Sequence, residues 1–394
     1  MTDFEIFNQA IHGRSRPVAV VDLSTFDANV SVARSFAARA GKTIRIATKS
    51  LRVPELIKRV QTSGREFAGL MTFSAFETAF LAEQGFDDFL VAYPTLDDRS
   101  LDAVARVSAA GKTVRLVVDS MDGIAALGRA SERAKLSRPL EAIVEVDASL
   151  RIGGRVHLGV RRSPIRSIEA VRDLVRTADK IRGVHVSGFM VYDAQIAGVP
   201  DIYSGAPWMV LATRVMKFFS RRVVAKRTKA LAGEFSSMLR NGGGTGSLLD
   251  SLSNPCLTEV TMGSGFFCSH LFSRYRSTLF QPALFVGLEV VRTSDPKWVT
   301  CAGGGVVASG TPAWDRVLLP VYPKGLKPSS MEGFGEVQTP LHCSKEKPVL
   351  GSTVWLRPTK SGEPLERFQT VLGIEADGRA SEFKTYRGYN HCFF

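Results

Sequence analysis

A glycine-rich stretch at residues 241–247, with the sequence Asn-Gly-Gly-Gly-Thr-Gly-Ser, contains residue types that can bind a phosphate group. Glycine adopts backbone conformations that other residues avoid, and its amide can approach an anion closely because it has no side chain. The same composition is also typical of a flexible surface loop. The position of the stretch in the fold therefore decides between the two interpretations.

Eight short apolar and β-branched runs, separated by helix-like segments, predict the strands of one sheet. They cover residues 44–48, 67–71, 88–92, 113–119, 142–147, 184–191, 238–241 and 258–262. Eight strands that alternate with helices are typical of an α/β fold, the parallel (β/α)8 barrel of TIM type. Phosphate sites of such barrels commonly use the loops after strands seven and eight. The glycine-rich stretch follows strand seven and Gly263-Ser264-Gly265 follows strand eight, which favours a phosphate site.

A second domain is predicted after the barrel. Past residue 275 the chain lacks long helical periods and contains short runs broken by Pro and Gly, at 283–291, 298–299, 306–308, 316–321, 349–357 and 367–374. This pattern predicts a C-terminal β domain over residues 276–394, after a barrel over residues 23–275. The early run 18–22 is left over from the barrel count, so we expect residues 1–22 to pair with the β domain. The glycines at 303–305 open no helix, which favours a turn over a dinucleotide-binding loop.

Composition is typical of a cytoplasmic enzyme. The 394 residues are 44% hydrophobic, enough for a large core divided between two domains. We find no uninterrupted apolar stretch of about 20 residues and a polar N-terminus, so we expect no membrane association and no signal peptide. The five cysteines form no C-x-x-C pair, which favours reduced thiols.

The formal net charge of +13 is concentrated in part on one helical stretch, residues 214–232. No nucleic-acid-binding motif accompanies these basic residues, so we interpret them as a solvated helix face and expect no nucleic-acid partner. A positive field also attracts phosphorylated cofactors and carboxylate substrates.

Lys49 directly follows the first predicted barrel strand, which places it at the barrel mouth, where a lysine has no role in packing. A lysine amine in such a place can form a Schiff base with an aldehyde cofactor. A single lysine at a strand end is more often simply solvated. The combination of a lysine, a phosphate loop and a barrel favours cofactor attachment.

Seven segments in order along the chain resemble one family of enzymes. They are residues 47–52, 147–164, 192–198, the glycine-rich stretch, 258–265, 335–340 and 385–388. The ordered set resembles the pyridoxal-phosphate enzymes of fold type III, which have an alanine racemase-like barrel. Within that family it is similar to the D-threonine aldolase and D-serine dehydratase branch, especially the bacterial amino acid deaminase/aldolase group.

The resemblance implies that Lys49 binds pyridoxal 5'-phosphate as a Schiff base and later exchanges it for the substrate amine. It implies a phosphate site that consists of Gly243, Gly244, Thr245, Gly246, Ser264 and Gly265. By the same resemblance Tyr192 and Gln195 lie beside the cofactor ring, with Tyr192 also a candidate for catalysis.

A segment after strand five adds further candidates by resemblance. His157 is a candidate catalytic residue and Arg161 a candidate cofactor ligand, with Arg162 beside it. A packed, non-catalytic His157 is an equal alternative. Arg151 and Arg155 are also available as partners of the pyridine nitrogen.

No divalent metal is expected in the C-terminal domain. The D-threonine aldolase branch holds a metal there with a His-x-Cys or His-x-Asp pair, and the corresponding segment of this chain has Pro358 and Lys360. Proline cannot ligate a metal and a protonated lysine is a poor ligand. We predict instead that Lys360 is catalytic and polarises a substrate hydroxyl or binds a carboxylate; a structural ion pair is the alternative. The adjacent pairs at 342–343 and 391–392 lack zinc-site spacing.

Taken together, these residues predict a pyridoxal-phosphate-dependent lyase, an aldolase or a dehydratase, that acts on a small β-hydroxy amino acid of D configuration. A racemase of the same fold is one alternative, with Tyr275, Tyr322 and Tyr386 as possible second bases. A decarboxylase and a non-catalytic cofactor-binding protein are the others. We also expect a homodimer in which the β domain of one chain closes the barrel mouth of the other.

Overall fold

The computed structural model describes residues 3–153, 155–203, 206–276, 279–311 and 313–393. Gly154, within the 147–164 segment, lies outside the described residues. The strands are β1 (Val18–Asp22), β2 (Thr43–Ala47), β3 (Phe67–Thr72), β4 (Phe89–Val91), β5 (Val114–Val118), β6 (Leu140–Glu145), β7 (Leu150–Ile152), β8 (Val156–Leu158), β9 (Val184–Val191), β10 (Leu239–Gly242), β11 (Glu259–Met262), β12 (Leu284–Asp295), β13 (Trp298–Ala302), β14 (Leu319–Tyr322), β15 (Leu326–Pro328), β16 (Gln338–Cys343), β17 (Thr353–Arg357), β18 (Thr370–Ile374) and β19 (Ala380–Lys384). The helices are α1 (Asp3–Ala10), α2 (Leu23–Ala40), α3 (Pro54–Gln61), α4 (Ala75–Glu83), α5 (Asp98–Ala109), α6 (Met121–Arg133), α7 (Ile168–Ala178), α8 (Ala194–Ala197), α9 (Pro207–Glu234) and α10 (Leu248–Ser253).

A closed parallel barrel forms the larger part of the molecule. Its strands follow the order β2, β3, β4, β5, β6, β9, β10 and β11, and β11 pairs with β2 to close the ring. The eight strands are the eight that the sequence predicts, with bounds that differ by no more than two residues, as in β6. The (β/α)8 barrel prediction is confirmed.

The helices around the barrel begin and end at residues that satisfy their free backbone groups. In α2, the Asp22 side chain accepts a hydrogen bond from the backbone N–H of Thr25 at 2.9 Å. At the other end Gly41 has a φ of 61°, and its N–H donates to the carbonyl of Ala37. Between these caps α2 buries one apolar face, which includes Phe26 and Val30.

A buried ion network fills the amino-terminal end of the barrel. Arg45, 1% exposed, donates from Nε to Oε1 of Glu259 at 2.6 Å and from Nη1 to the backbone carbonyl of Asp88 at 2.8 Å. Burial opposes the charge of Arg45, but Glu259 and Asp88 outweigh it and raise its pKa. Asn241 donates from Nδ2 to Glu259 at 2.8 Å. Above this network an apolar layer contains Leu90, Val117, Ile143 and Met190. The barrel interior is therefore packed, and only its carboxyl end is available to a ligand.

The C-terminal part forms a sheet of nine strands, in the order β15, β16, β13, β12, β1, β18 and β19, with β17 pairing β12 and β14. Strand β1 pairs antiparallel with β12 and parallel with β18. The presence of this sheet after the barrel agrees with the predicted fold class. The domain limits at residues 22 and 275 stay a prediction.

Individual strands of this sheet differ from the prediction. The strand predicted at 306–308 is wrong, because the preceding Gly304 has a φ of 117° and the Val306 N–H donates to its carbonyl at 2.7 Å in a tight turn. Strands β15, β16 and β19 were not predicted. Their sequences contain Pro, Lys, Gln and Glu, which weaken the apolar alternation that indicates a strand. None of the described helices combines the length and apolar character that a bilayer span requires.

Gly69 makes room for the Arg45 guanidinium, so Gly69→Ala should destabilise the barrel. Gly69 has a φ of +73°, and an added Cβ would lie 2.2 Å from Nη1 of Arg45. We expect the free energy of unfolding to fall by about 3 kcal/mol, from backbone strain and overpacking together. Gly85→Ala is the control, because Gly85 has a φ of +88° but open space around it; it should cost about 1 to 2 kcal/mol. Urea denaturation measures both. Equal losses would show that no clash occurs.

Candidate active site

Lys49 lies in the short turn that follows β2, at the carboxyl end of the barrel. Its side chain is exposed, and Nζ donates to the hydroxyl of Tyr93, just beyond β4, at 2.8 Å. Burial acts to raise the pKa of Tyr93, but the charges of Lys49 and Arg162 outweigh burial and lower it. Lys49 and Tyr93 therefore form a pair that can share a proton at the barrel mouth.

The backbone around Lys49 is fixed by hydrogen bonds. The Thr48 hydroxyl donates to the carbonyl of Met71 at 3.0 Å, and Nε of Arg52 donates to the carbonyl of Lys49 at 3.1 Å. Arg52 has a φ of 55°, a left-handed conformation that costs a non-glycine residue about 1 kcal/mol or more. The N–H of Tyr386 donates to the carbonyl of Arg52 at 3.0 Å, which helps to hold the conformation in place.

A fully buried carboxyl group lies beneath this turn. Glu77 accepts hydrogen bonds from the Tyr386 hydroxyl and from the backbone N–H of Phe73, each at 2.7 Å. Burial raises the pKa of Glu77 to about 7. Because Tyr386 also contacts Arg52, the C-terminal segment and the buried Glu77 together position the turn that carries Lys49.

An arginine lies between two tyrosine rings on the other side of the mouth. The Arg162 guanidinium carbon is 5.6 Å from the ring centroid of Tyr93 and 5.1 Å from that of Tyr192. Burial raises the pKa of Tyr192 to about 12. Glu145, at the end of β6, has a pKa of about 7, because burial outweighs the opposing effect of Arg162. The mouth therefore contains a carboxyl group that changes its charge near neutral pH.

The two glycine loops meet at the carboxyl ends of β10 and β11. The N–H of Gly265 donates to the Thr245 hydroxyl at 3.1 Å, which joins the loops. A Cβ at position 244 would lie 3.3 Å from the Cβ of Ala197, and one at 246 would lie 2.1 Å from the carbonyl of Ala197. Gly243 has a φ of +81°. Positions 243 and 246 therefore do not accept a side chain, and the bare backbone of the loop is compatible with a phosphate cradle.

Hydrogen bonds connect the cradle to the residues around it. The Ser247 hydroxyl donates to the Asp193 carboxylate at 2.9 Å and accepts from the N–H of Gly244 at 3.2 Å. Burial raises the pKa of Asp193 to about 6. The hydroxyls of Ser264 and Ser50 are 3.2 Å apart, so the cradle directly adjoins the Lys49 turn.

Gln195 and His157 are packed against the loop that follows β6. Gln195 donates from Nε2 to the carbonyl of Ala148 at 2.6 Å, and its Oε1 is buried without a hydrogen-bond partner among the described residues. His157 lies on the β7–β8 hairpin with Nε2 at 3.2 Å from the carbonyl of Val160. Neither His157 nor the exposed Arg161 forms a hydrogen bond, ion pair or ring contact with Lys49 or the cradle in the described parts of the chain. Their roles stay a prediction.

Lys360 takes part in a surface ion pair. Its Nζ is 3.5 Å from Oε2 of Glu363 and donates to the Ser309 hydroxyl. Neighbouring residues nevertheless contact the candidate site: the Ser361 hydroxyl donates to the carbonyl of Ser264 at 3.0 Å, and a Cβ at Gly362 would lie 2.5 Å from the carbonyl of Lys49. Lys360 therefore lies beside the mouth in an ion pair, which is the structural alternative to a catalytic role. The described residues contain no group of three or more His, Cys, Asp or Glu placed to bind a metal.

Sequence reasoning missed Tyr93, Glu145, Asp193 and Glu77. Tyr93 directly follows a predicted strand and Asp193 follows the candidate Tyr192, so polar residues just beyond buried strands are the available signal. Glu77 gave no such signal, because its partner Tyr386 lies on a distant segment.

Glu77 should make stability depend on pH. Its pKa rises from an ordinary 4.5 to about 7, so between these values the folded chain holds a proton that the unfolded chain releases. The free energy of unfolding should therefore decrease as the pH rises through this window. Glu77→Gln should flatten the decrease, and Glu83→Gln, an exposed position on the same helix α4, should leave it unchanged. Urea unfolding at several pH values measures the slope; an unaltered slope in Glu77→Gln would contradict the raised pKa.

No protein-family model matches the chain. A curated relative, the 3-hydroxy-D-aspartate aldolase of Paracoccus denitrificans, is 24% identical over 258 residues. The match covers 66% of this chain and 62% of that protein, which is less than two thirds of the relative's length.

Solved structures match over almost the whole chain. The D-threonine aldolase from Filomicrobium marinum has a TM-score of 0.79 at 20% identity, over 96% of this chain and 97% of that one. The D-threo-3-hydroxyaspartate dehydratase from Delftia sp. HT23 has a TM-score of 0.73 at 17% identity, over 95% and 98%. An alanine racemase-like protein from Idiomarina loihiensis has a TM-score of 0.71 at 14% identity, over 95% and 98%. The chain therefore has the alanine racemase-like fold, the barrel and C-terminal sheet of fold type III.

Proposed function

We propose that this chain is a pyridoxal-phosphate-dependent lyase that acts on a small β-hydroxy amino acid of D configuration. The observation that carries the proposal is the Lys49 amine at the barrel mouth, next to a glycine cradle that adjoins its turn through Ser50 and Ser264. The relatives support the same chemistry, because their names describe aldolases and a dehydratase of D-configured β-hydroxy amino acids.

The chemistry of these residues fits pyridoxal phosphate. Lys49 would bind the aldehyde carbon, and the two glycine loops with Thr245 and Ser264 would hold the phosphate. The tight packing at positions 244 and 246 supports this assignment, because a Cβ there would meet Ala197. Tyr192, whose side chain is largely buried, and Gln195 would lie beside the ring. When bound, the cofactor would supply an electron sink for the carbon next to the substrate amine.

The residues at the mouth would bind the substrate and transfer its protons. Tyr93, with its lowered pKa and its 2.8 Å contact with Lys49, can accept a proton from Nζ or return it. Arg162 keeps a positive charge beside Tyr93 and can orient a substrate carboxylate. Glu145, with a pKa of about 7, can hold or release a proton at neutral pH. These groups support either removal of a β-hydroxyl proton by an aldolase or α-proton transfer by a dehydratase.

A metal is not part of the proposal. The residues at the position used by metal-dependent relatives, Pro358 and Lys360, do not fit a divalent cation. Lys360 also forms the ion pair with Glu363. A role for Lys360 in polarising the substrate hydroxyl requires it to exchange Glu363 for the substrate.

The racemase alternative loses support from the three tyrosines that the sequence suggested. The Tyr275 hydroxyl donates to the carbonyl of Ala197 at 3.0 Å, and the Tyr386 hydroxyl donates to Glu77. The ring of Tyr322 stacks on Phe4 with centroids 4.9 Å apart. These contacts favour structural roles for all three tyrosines within this chain.

We also propose a homodimer in which the partner's β domain covers the mouth. The exposed Lys49 and the exposed apolar side chains of the β domain, Trp314 at 60% and Met331 at 95%, support it. Met331→Asp should shift the protein toward a monomer and lower its activity in parallel, as measured by light scattering and turnover at the same concentrations. A monomer with full activity on dilution would contradict the proposal.

Borohydride reduction of the cofactor-loaded protein should attach the cofactor to Lys49, located by peptide mapping. Lys49→Ala should lower turnover by about 1000-fold, or about 4 kcal/mol in the barrier. A label on another lysine rules out Lys49.

Incubation with a panel of D- and L-amino acids, with separation of aldehyde, keto acid and inverted isomer, identifies the reaction.

Activity should persist after exhaustive chelation. Loss of activity that manganese, magnesium or zinc restores rules out the metal-free proposal.

A further inference from the structure

A cavity of about 480 Å³ lies outside the barrel, between α7, α9 and the residues that follow β6. Its lining includes the apolar residues Val146, Val171 and Leu231. It also includes Arg166, Lys226 and Arg227, with Glu169 as the one carboxylate among the lining residues. None of these residues belongs to the candidate active site. The cavity is therefore separate from the barrel mouth and has an excess of positive charge.

Among the described residues a carboxylate pairs with Arg166 of this cavity, but none forms an ion pair with Arg227. Asp147 accepts from Nε of Arg166 at 3.0 Å, from the N–H and hydroxyl of Ser149 at 2.8 Å each, and lies 3.7 Å from Nη2 of Arg151. Nη1 of Arg227 is buried and has no hydrogen-bond partner in the described parts of the chain. A half-buried guanidinium without a paired carboxylate costs free energy, so a carboxylate that a ligand brings to the Arg227 side chain would be bound favourably.

Burial and the neighbouring positive charges both lower the pKa of Arg227. Burial lowers the pKa of Arg227, and Arg166 and Arg151 lower it further against the opposing effect of Asp147. The guanidinium nevertheless keeps its charge, because the ordinary pKa of arginine is far above neutral. The N-terminus of α7, which begins at Ile168 behind its cap Ser167, adds partial positive charge at the same wall.

We propose that this cavity is a binding site for a small organic carboxylate with an apolar body. The side chains of Arg227 and Lys226 bind the carboxylate, and Val146, Val171 and Leu231 cover the apolar part. A volume of about 480 Å³ lies within the usual range of small-molecule sites. The proposal does not depend on the proposed lyase activity.

A ligand in this cavity would act on the barrel mouth through residues 162–166. Arg166 lines the cavity, and Arg162, four residues earlier, contacts the rings of Tyr93 and Tyr192. The segment between them is attached to β6, because the Ser163 hydroxyl donates to the carbonyl of Glu145 at 2.5 Å and the Asp147 N–H donates to the carbonyl of Ile165 at 2.8 Å. A ligand in the cavity would contact Arg166, which lines it, and would therefore also restrain the segment that carries Arg162.

Calorimetric titration of the full-length protein with hexanoate, and with hexanol as the uncharged probe of similar shape, tests the proposal. Hexanoate should bind saturably and hexanol should not. Arg227→Gln should weaken hexanoate binding by at least about tenfold. Arg222→Gln is the matched control, since Arg222 is exposed on the same helix α9 and lies over the ring of Phe218; its affinity should equal that of the unmodified protein.

A second variant tests the cavity rather than the charge. Ala230 lines the cavity but is exposed, so Ala230→Phe should fill the space without unfolding the chain and should abolish hexanoate binding. Hydrogen exchange in residues 159–167 should slow when hexanoate is present. Equal affinity of Arg222→Gln and Arg227→Gln, equal binding of hexanol, or unaltered affinity of Ala230→Phe would each overturn the proposal.

Discussion

Hydrogen bonding between β2 and β11 is the constraint on which the candidate site depends. The register pairs Thr43 with Glu259 and Ile46 with Met262, so the first and last barrel strands end side by side. Their following turns are therefore neighbours, and the hydroxyls of Ser50 and Ser264 come within 3.2 Å. Without that closure the Lys49 turn and the glycine cradle would be distant segments of an open sheet.

The ion network inside the barrel supports the same closure. Arg45 projects from β2 and bonds Glu259 of β11 and Asp88 at the start of β4, so one guanidinium links three parts of the ring. An unpaired buried charge is costly, and this arrangement therefore favours one register of the strands over its neighbours. The apolar layer lies between this network and the barrel mouth and therefore limits the depth of the mouth.

The barrel could be predicted from the sequence because each strand carries its own local signal. The eight apolar runs need no knowledge of their partners, and the glycine loops are recognisable by composition and position. Lys49 and the glycine cradle can be predicted from their positions after barrel strands, and the family resemblance indicates which cofactor they would bind. Arrangements made by distant residues could not be predicted. Glu77 and Tyr386 meet only in the folded chain, and so do Lys360 and Ser309.

The C-terminal strands show the physical limit of the same signal. Strand β19 is mostly exposed and is held by backbone pairing with β18. Strand β16 does bury Leu341 and Cys343, but it contains Pro340, and proline in a run argues against a strand. The strand predicted at residues 306–308 is a turn in the structure. Valines next to glycines have strand-like composition, but the glycine conformations favour a turn. Local composition therefore identifies uninterrupted apolar strands and misses those that contain proline or are held mainly by backbone pairing.

The position of β1 within the C-terminal sheet has a consequence for synthesis of the chain. Val20 pairs with Phe285 on one side and Leu372 on the other, so this strand leaves the ribosome long before either partner exists. The barrel strands can associate as they emerge, whereas β1 must wait with an apolar, unpaired backbone until Phe285 and Leu372 have been made. A strand in that state is open to aggregation and is a substrate for chaperones that bind nascent chains. The order of translation therefore makes the second sheet assemble after the barrel, although one of its inner strands is made before the barrel strands.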